Sequence, residues 1–538
     1  MDWDAFEPLP ASHAPVTLFT PIAGFLRAAR VLATTSPHRN ADAVWWEGGR
    51  IRAVGRAMEL DALVPPETPR FDLGEAWVTP GLVDGHTHFA AWALGRRRVQ
   101  LADATDRAEA LRRVAAAPPV QGWVLGQGWN ANGWAEPPDR QALDRVQSGP
   151  VFLDSHDLHA AWLNSAALAA AGIDRRTRDP FGGRIVRDAA GEPTGLLQER
   201  AVEIALLALP TPPADLLRAA LLDGQAEAHR QGLTGIHNVE SDDVLRAFQD
   251  LDAKDLLRLR VLFHPPVASL SRLVHDGVRS GSGTRWLTTG GVKLFLDGSL
   301  GTQTAWMLEP YERSTDRGLP ISTLEQARQA MSLAAHAGIA SVVHAIGDAA
   351  VRRALDLLTA LPRVALPHRI EHLQCVHPLD LGRAAAAGVV ASMQPVHLLA
   401  DIPLVERHWG SRGAGAYAFQ SLRARGTVLA FGSDAPVGSL DPREGIYAAM
   451  TRRTLGGPAR GGWRAEERLS FDEVLAGYTL GNAFAGGVAG RRGTLAPGSD
   501  ADLVAWDVDP ALAAEDPDAF RQARARLTVV GGEVVMRS

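Results

Sequence analysis

The sequence predicts an α/β protein: a (β/α)8 TIM-like barrel with an insertion after strand 1, plus a small β-sandwich domain built from both chain termini. Three observations predict this fold. Short apolar runs alternate with Ala- and Leu-rich helical stretches through the middle of the chain, which is typical of βα units around a parallel sheet. There are eight such runs, the number that a closed barrel needs. The two ends of the chain resemble each other more than they resemble the middle.

The terminal segments each contain two strand-like runs around a pair of glycines. ADAVWWEGGRIRAVG turns at Gly48 and Gly49, and ARLTVVGGEVVMR turns at Gly531 and Gly532. Glycine adopts the positive φ of a tight hairpin without a Cβ penalty. Because a two-stranded hairpin is marginal alone, we expect residues 1–80 and 488–538 to pair into one small β-domain. Two unrelated surface hairpins are the alternative.

The barrel is predicted over residues 81–487. Between most of its strands lies a segment long enough for a helix, such as EQARQAMSLAAHAG. The eight buried strands are expected at residues 81–85, 233–237, 260–264, 291–295, 340–344, 369–373, 389–393 and 428–432.

The gap between the first two predicted strands is far longer than one crossover requires. It contains the strand-like run PVFLDS and a hairpin-like segment, GGRIVRDAAGEPTG. We interpret residues 95–230 largely as a cap-like insertion together with the first crossover, because counting PVFLDS would give an eightfold barrel a ninth strand. An insertion at this point emerges at the C-terminal face of the barrel, where active sites of this fold lie.

Composition narrows the function class. The net charge of -6, without a long run of like charge, argues against nucleic acid and anionic membranes as partners. The single cysteine, Cys375, excludes an internal disulfide framework and a cysteine-rich zinc site. The first residues, MDWDAFEPLP, lack the basic and apolar regions of a signal peptide, and no stretch approaches the ~18 apolar residues of a membrane span. We expect a cytoplasmic protein that acts on a small-molecule substrate, and a homodimer is left open.

The strongest local signal is GLVDGHTHF, in which His86 and His88 are two residues apart. Residues i and i+2 of a strand point to the same face, so both imidazoles can reach one metal ion. Two ordinary polar residues at a strand end are the alternative interpretation.

Further metal-binding candidates lie at or near the C-terminal ends of predicted strands. His344 closes SVVHAIGD, His372 lies in RIEHLQ, and Asp434 lies in VLAFGSDAP. Side chains at these strand ends converge on one pocket of a barrel. Lys293, in GGVKLFLDG, is unusual because a lysine is costly to bury unpaired in an apolar strand. Either it reaches an acidic neighbour or its charge is changed.

Taken together, these motifs resemble the amidohydrolase superfamily, and the fuller phrases resemble its amidohydrolase-3 branch, the YtcJ-like proteins. GTLAPGSDADLVAWD, at residues 493–507, is similar to the family's return into the small β-domain. The resemblance covers nearly the whole chain. The other phrases that carry it are GLVDGHTH, HAAWLNSAAL, GGVKLFLDGSLGTQTA, VHAIGDAA, RIEHLQ, SMQPVH and FGSDAPV.

The resemblance implies specific roles for the strand-end residues. His86 and His88 would bind the more buried metal, and His344 and His372 would bind a second one. Asp434 would bind the first metal and transfer protons.

The resemblance also implies that Lys293 is N-carboxylated and that its carbamate bridges both metals. We expect one or two divalent ions, with zinc as the first choice, because oxygen and nitrogen ligands without thiolate suit zinc. The same ligands would also accept manganese, cobalt or iron.

The expected activity is hydrolysis of a C–N bond in an amide-like substrate, namely an N-substituted formamide, an N-acyl compound or a carbamate. Metal coordination lowers the pKa of water to about 7, and Asp434 would serve as the proton shuttle. Ester or cyclic-amide hydrolysis by the same site is an alternative, and so is a non-catalytic barrel used for binding or scaffolding.

Five further residues are candidate substrate contacts. The first two lie in the predicted cap and the other three at or after predicted barrel strands; for each, a structural role in packing or hydrogen bonding is the alternative. They are Trp129, Asn130, His237, Asp297 and His397.

Acidic residues that flank the metal candidates are possible acceptors for imidazole N–H groups. They are Asp84, Asp348 and Glu371. Alternation along a strand puts neighbouring side chains on opposite faces, which weakens this expectation for Glu371, next to His372.

Overall fold

The computed structural model describes residues 22–32, 40–454, 461–509 and 516–538. The N-terminal residues from which we argued against a signal peptide lie outside these ranges. In the described ranges, no helix is both long and apolar enough to cross a membrane.

Strands are numbered in chain order. They are β1 Ala23–Arg27, β2 Arg30–Val31, β3 Ala43–Glu47, β4 Arg50–Gly55, β5 Arg70–Asp72, β6 Trp77–Pro80, β7 Leu82–Thr87, β8 Val99–Gln100, β9 Val124–Trp129, β10 Val151–Ser155, β11 Ala160–Leu163, β12 Gly183–Arg187, β13 Pro193–Glu199, β14 Leu233–Val239, β15 Arg260–His264, β16 Leu287–Thr289, β17 Val292–Phe295, β18 Ser341–Ala345, β19 Arg369–His372, β20 Val390–Met393, β21 Leu429–Phe431, β22 Leu503–Trp506, β23 Ala525–Val530 and β24 Glu533–Arg537.

The α-helices are numbered in the same way. They are α1 Ala57–Leu60, α2 Phe89–Gly95, α3 Arg107–Ala116, α4 Arg140–Asp144, α5 Ser165–Ala170, α6 Arg200–Leu206, α7 Ala214–Arg230, α8 Asp242–Ala253, α9 Leu270–His275, α10 Leu324–His336, α11 Asp348–Thr359, α12 Arg383–Ala387, α13 Leu398–His408, α14 Phe419–Ala424, α15 Pro442–Thr451, α16 Phe471–Ala476, α17 Asn482–Ala485 and α18 Pro517–Arg521.

Two parallel sheets form the centre of the molecule. Their strand orders are β16-β15-β14-β7 and β17-β18-β19-β20-β21. Isolated parallel bridges link the two sheets, from Pro266 to Lys293 on one side and from Thr87 to Ala435 on the other. Each of the eight strands predicted from apolar runs coincides within two residues with one of these strands. The short strand β16 is an addition that the sequence did not predict.

Helices between these strands bury one apolar face against the sheets. On α8, Val244, Phe248 and Leu251 are buried and follow the spacing that places side chains on one side of a helix. On α10, Thr323 and Gln326 form a capping box, which satisfies backbone N–H groups at the start of the helix. Local sequence therefore sets where these helices begin and which side packs inward.

The insertion after β7 folds around a sheet of its own. Its strand order is β12-β13-β11-β10-β9-β8. PVFLDS forms β10 in this sheet and not in the central sheets, as predicted, and the hairpin-like segment forms the antiparallel pair β12 and β13. The sheet is joined to the loop after β17 by hydrogen bonds such as that from Ser299 Oγ to Asp157 Oδ2, at 2.7 Å.

The chain ends meet in one sheet of order β2-β6-β22-β23-β24, beside a second sheet of order β4-β3-β1-β5. Strand β6, from the N-terminal side, pairs directly with β22, from the C-terminal side. The glycines of both predicted hairpins have positive φ, between 59° and 82°, as a tight hairpin turn requires. Apolar side chains from both sheets share one core cluster. The two ends of the chain are therefore joined by the pairing of β6 with β22.

Candidate metal centre

The first and last strands of the central sheets bring His86, His88 and Asp434 together. Asp434 follows β21, and its backbone N–H donates to the carbonyl of His86, which lies in β7, at 2.7 Å. This close approach depends on Gly432, because a Cβ there would lie 2.3 Å from the backbone nitrogen of His86. The Asp434 Oδ1 atom then lies 3.3 Å from His86 Nε2 and 3.2 Å from His88 Nε2.

His372 and Asp434 both leave their strands in an unfavourable backbone conformation. Their φ angles are +71° and +59°, in the left-handed region that costs non-glycine residues free energy. Such strained residues are concentrated at functional sites, where the surrounding structure holds them in place. In this bend, the Nδ1 atom of His372 lies 3.9 Å from Asp434 Oδ2.

Two compact groups of potential metal ligands share Asp434. The first is His86, His88 and Asp434, and the second is His372, His397 and Asp434; in each group the ligand atoms lie within 4.8 Å of one another. The first group matches the expected first metal site. The second contains His397, which was expected as a substrate contact, and among the described residues it does not include His344, which stays a prediction as a ligand of the second metal.

His344 lies beside these groups. Its ring centroid is 4.4 Å from that of His372, while its Nε2 atom is 3.4 Å from the carbonyl of Gly298 and 3.8 Å from Asp297 Oδ1. Its other nitrogen has no hydrogen-bond partner. The ring is therefore adjacent to the second group, with one nitrogen free for a ligand.

The donor atoms of the site fit a divalent cation. Buried polar atoms are almost always hydrogen-bonded, and each one left unsatisfied costs about 1–3 kcal/mol. Five such atoms are concentrated here without a partner in the described structure: His86 Nε2, His344 Nδ1, His372 Nδ1, His397 Nε2 and Asp434 Oδ1. Imidazole and carboxylate donors are the ligands that suit metals such as zinc. A bound cation would satisfy atoms that the protein itself leaves unpaired.

Protonation states favour the same interpretation. Burial holds the pKa values of His344 and His372 well below the usual range and lowers that of His397 to about 4. Burial would raise the pKa of Asp434, but the adjacent His86 and His88 hold it well below its usual range. The site thus offers neutral imidazoles at His344, His372 and His397 and an ionised carboxylate at Asp434, the forms that bind metals. At His86, burial and Lys293 would lower the pKa, but Glu371 and Asp434 raise it.

Lys293 is buried beside the same group. Burial lowers its pKa to about 8, against the opposing effect of Glu371 and Asp434. Its ammonium lies 4.9 Å from the ring centroid of Phe295 and makes no ion pair among the described residues. With His88, His344, His372 and Asp434, it lines a cavity of about 270 Å³. Because no acidic side chain of the described residues forms an ion pair with this ammonium, N-carboxylation of Lys293 stays a prediction.

A hydrogen-bonded chain behind the metal candidates orients His86. The Nδ1–H of His86 donates to Glu371, and the buried guanidinium of Arg369 donates to Glu371, to Ser392 Oγ and to the carbonyl of Gly85. Partners of this kind fix the tautomer and direction of a metal-binding imidazole. Asp84 instead accepts from the backbone N–H groups of His86 and Ser433, at 3.0 and 2.9 Å.

The doubt about Glu371 was wrong. Arg369 and Glu371 are two residues apart in β19 and point into the same interior space, as alternation requires. It is His372 that departs from alternation, because its positive φ turns it back toward the site. The spacing of Arg369 and Glu371 was the signal that sequence reasoning missed.

Three of the predicted substrate contacts line the largest cavity at the site. This cavity of about 550 Å³ is bordered by Trp129, Asn130 and His397, together with His372 and Asp434. The ring of Trp129 also packs against Trp162, and its Nε1–H donates to the carbonyl of Leu153 at 2.8 Å.

The other two predicted contacts lie elsewhere, which corrects the expectation. His237 accepts a hydrogen bond from Arg369 at its Nδ1 atom, at 2.9 Å, and is buried away from the cavity. Asp297 is fully buried and accepts from three backbone N–H groups at 2.8–3.0 Å, those of Trp306, Ile346 and Gly347. It orders the loops around His344 and does not face the substrate space.

Sequence reasoning also missed His159, which comes from the insertion. Its Nδ1–H donates to Glu199 at 2.7 Å, and its ring centroid is 5.4 Å from that of His344. Burial would lower the pKa of His159, but Glu199 and Asp157 raise it to about 9. The phrase HAAWLNSAAL contained this residue, but only the folded chain brings it to the metal candidates.

Comparison with known proteins identifies the family. A model of the Amidohydrolase family matches residues 71–536. The chain belongs to this family. The expected YtcJ-like affiliation is confirmed, since the chain is 32% identical to the putative amidohydrolase YtcJ of Bacillus subtilis over 92% of this chain and 96% of the relative.

Two further similarities bear on chemistry. The chain is 27% identical to the N-substituted formamide deformylase of Arthrobacter pascens, over 90% of this chain and 93% of that protein. It also resembles the solved structure of an uncharacterized metal-dependent hydrolase from Pyrococcus horikoshii, with a TM-score of 0.77 and 25% identity, covering 92% of this chain and 99% of the other. This amidohydrolase is accordingly a hydrolase whose clustered ligands fit a divalent metal.

Proposed function

We propose that this amidohydrolase cleaves a C–N bond of an amide-like substrate: an N-substituted formamide, an N-acyl compound or a carbamate. The observation that carries the proposal is the cluster of unpaired imidazole nitrogens around the ionised Asp434. The similarity to an N-substituted formamide deformylase supports the substrate class.

The proposal includes the architecture around the site. The two central sheets and their connecting bridges are consistent with one closed (β/α)8 barrel, with the metal candidates at the carboxyl ends of its strands. The two terminal sheets would form a β-sandwich beside it, and the insertion would cover the site as a cap.

His86, His88 and Asp434 would hold one ion, and His372, His397 and His344 lie where a second would be held. Zinc is the proposed ion, because the donors are nitrogen and oxygen. A bound ion would lower the pKa of water toward about 7 and polarise the scissile carbonyl.

The protein's own groups would move the proton. Asp434 lies at the centre of the site as a carboxylate, so it can accept a proton from the attacking water. It can then return that proton to the leaving nitrogen, which is too basic to depart as an anion. Glu371 and Arg369 would keep His86 oriented during the reaction.

A hydrolysis screen tests the proposal. Purified protein, with and without added zinc, is given N-formyl, N-acyl, carbamate, ester and cyclic-amide substrates of similar size. We expect metal-dependent turnover of one of the first three classes. Turnover of esters or cyclic amides alone would replace the proposed substrate class, and no turnover in any metal state would contradict the enzyme assignment.

The proposed carbamate on Lys293 needs its own test. Burial and a pKa lowered to about 8 leave an appreciable fraction of the neutral amine that reacts with carbon dioxide. Lys293→Ala should lose most activity and bind less metal, measured by elemental analysis and turnover. Full metal occupancy with normal turnover in this variant would rule out a bridging role.

A further inference from the structure

The insertion contributes the imidazole ring of His159 to the metal centre. This residue borders both the cavity of about 550 Å³ that contains Asp434 and the smaller cavity of about 270 Å³ that contains Lys293 and His344. His159 therefore lies where the insertion borders both cavities of the metal centre.

One edge of the ring is held firmly. Glu199 accepts the Nδ1–H of His159 at 2.7 Å, while the backbone N–H of Glu199 donates to the carbonyl of His159 at 2.8 Å. The backbone N–H of His159 also donates to Asp157 Oδ1 at 3.2 Å. These bonds determine the direction of the imidazole.

Glu199 is itself anchored to the strand-end loop of the central sheets. Its carboxylate is buried and accepts hydrogen bonds from the hydroxyl groups of Thr302 and Thr304. Gly298 makes room for it, since a Cβ there would lie 2.4 Å from Glu199 Oε1. The contact between insertion and loop thus exists without the imidazole, so docking of the cap does not explain why a histidine stands at residue 159.

The other edge of the ring has no protein partner. Among the described residues, the Nε2 atom of His159 makes no hydrogen bond, although the ring is largely buried, with the side chain 16% exposed. A ring that is flanked by two carboxylates and has Nδ1 occupied can offer only Nε2 to a ligand. The nearest space for a ligand is the cavity that it shares with the metal candidates.

We propose that His159 is a catalytic residue, whose Nε2–H donates a hydrogen bond to the carbonyl oxygen of the scissile amide, with Glu199 as its positioning residue. This rests on the proposed function. As water adds to the carbonyl carbon, that oxygen gains negative charge, and a fixed donor strengthens its hydrogen bond at that moment. No proton needs to leave His159 in this role.

A pair of matched variants separates the two edges of the ring. His159→Asn keeps a donor near the Nδ1 position and lacks one at Nε2, whereas His159→Gln keeps a donor near Nε2. In zinc-loaded protein with formanilide as the probe, we expect kcat to fall by about 10²–10³-fold for His159→Asn and by much less for His159→Gln. His275→Asn, an exposed histidine on α9, is the control.

Three measurements distinguish this role from a structural one. Zinc per chain and the unfolding temperature should match the wild type in both variants, and the loss should fall on kcat more than on KM. Glu199→Gln should lower kcat by a smaller factor, and its combination with His159→Asn should not be additive, because both act through one contact. If His159→Asn does not fold, Glu199→Gln and His159→Gln provide the same comparison.

Equal, unchanged kcat values for His159→Asn and His159→Gln would overturn the proposal. If the wild type does not hydrolyse formanilide, calorimetry measures binding of the same probe, and a tenfold weakening by His159→Asn alone is expected. Binding without hydrolysis would count against the proposed function but not against His159. Binding that is unaffected by the variants, or absent in the wild type, would overturn the assignment of His159.

Discussion

Histidines lie at or near the ends of strands on both sides of the central sheets, but the hydrogen bonding of their ring nitrogens differs. His237, two residues before the end of β14, and His264, at the end of β15, have ring nitrogens that are engaged. Arg369 donates to His237 Nδ1, and the backbone N–H of Gly291 donates to His264 Nδ1, both at 2.9 Å. His86 and His372, from β7 and β19, instead keep buried nitrogens without partners. Position at a strand end is therefore not enough to identify a metal ligand.

What separates the two groups is the charge that faces them. Burial and the neighbouring Arg369 hold the pKa values of His237 and His264 well below the usual range. The Arg369 guanidinium contacts both of these rings directly, which disfavours a second cation there. Around His86 and His372 the central group is the carboxylate of Asp434, which attracts a metal. Both groups are buried, so the facing charge, and not burial, distinguishes them.

The largest effect is expected at Asp434, which belongs to both ligand groups. Asp434→Asn should lower turnover by at least about 10³-fold, because it removes both a ligand charge and the proton acceptor. Bound zinc should also decrease, measured by elemental analysis beside the hydrolysis rate. A variant with wild-type activity would show that the proton moves by another route.

The comparison itself is tested by truncating one histidine from each group. His372→Ala should lose metal and activity, while His264→Ala should keep stoichiometric metal and lose about 1–3 kcal/mol of unfolding free energy, because the N–H of Gly291 becomes unsatisfied. Metal analysis and denaturant unfolding measure both. Equal metal loss in the two variants would show that the two groups of histidines do not differ in metal binding.

A smaller effect is expected behind the metal site. Glu371→Gln keeps the size of the side chain but weakens its hold on His86. Metal affinity should decrease about 10–100-fold, as measured by competition with a chelator. Glu325→Gln, the same substitution at the exposed start of α10, serves as the control.

The smallest effect is expected at a buried histidine outside the metal centre. It tests how a hydrogen-bonded imidazole that binds no metal affects the pH dependence of stability. His229 on α7 donates from Nε2 to the carbonyl of Arg258 at 3.2 Å, and burial lowers its pKa to about 4. Between pH 6.5 and 4 the unfolded chain therefore binds more protons than the folded one, and stability falls as the pH falls.

His229→Gln retains a donor without titrating, so it should lose less stability over that interval. The difference should reach at most about 3 kcal/mol near pH 4, measured by denaturant unfolding at several pH values. Activity at neutral pH should stay unchanged. Parallel pH profiles for wild type and variant would show that His229 does not contribute to acid sensitivity.

The central strands could be predicted closely because each is a short apolar run, and burial on both faces leaves few other interpretations. The same reasoning failed at β16, whose three residues are too few to give a pattern. It failed at Glu371 because alternation assumes a regular strand, and the positive φ of His372 departs from strand geometry. His397 was expected only as a substrate contact because nothing in MQPVH indicates that its ring lies 6.2 Å from that of His372.

The sequence by itself determined the family, the order of the strands and the residue types that could bind a metal, because these depend on local pattern and composition. Tertiary structure decided which imidazoles remain without partners, since that depends on contacts between residues hundreds of positions apart, such as His86 with Glu371. It also brought His159 from the insertion to the centre. Charge and free hydrogen-bonding capacity are properties of the assembled site, and no linear motif contains them.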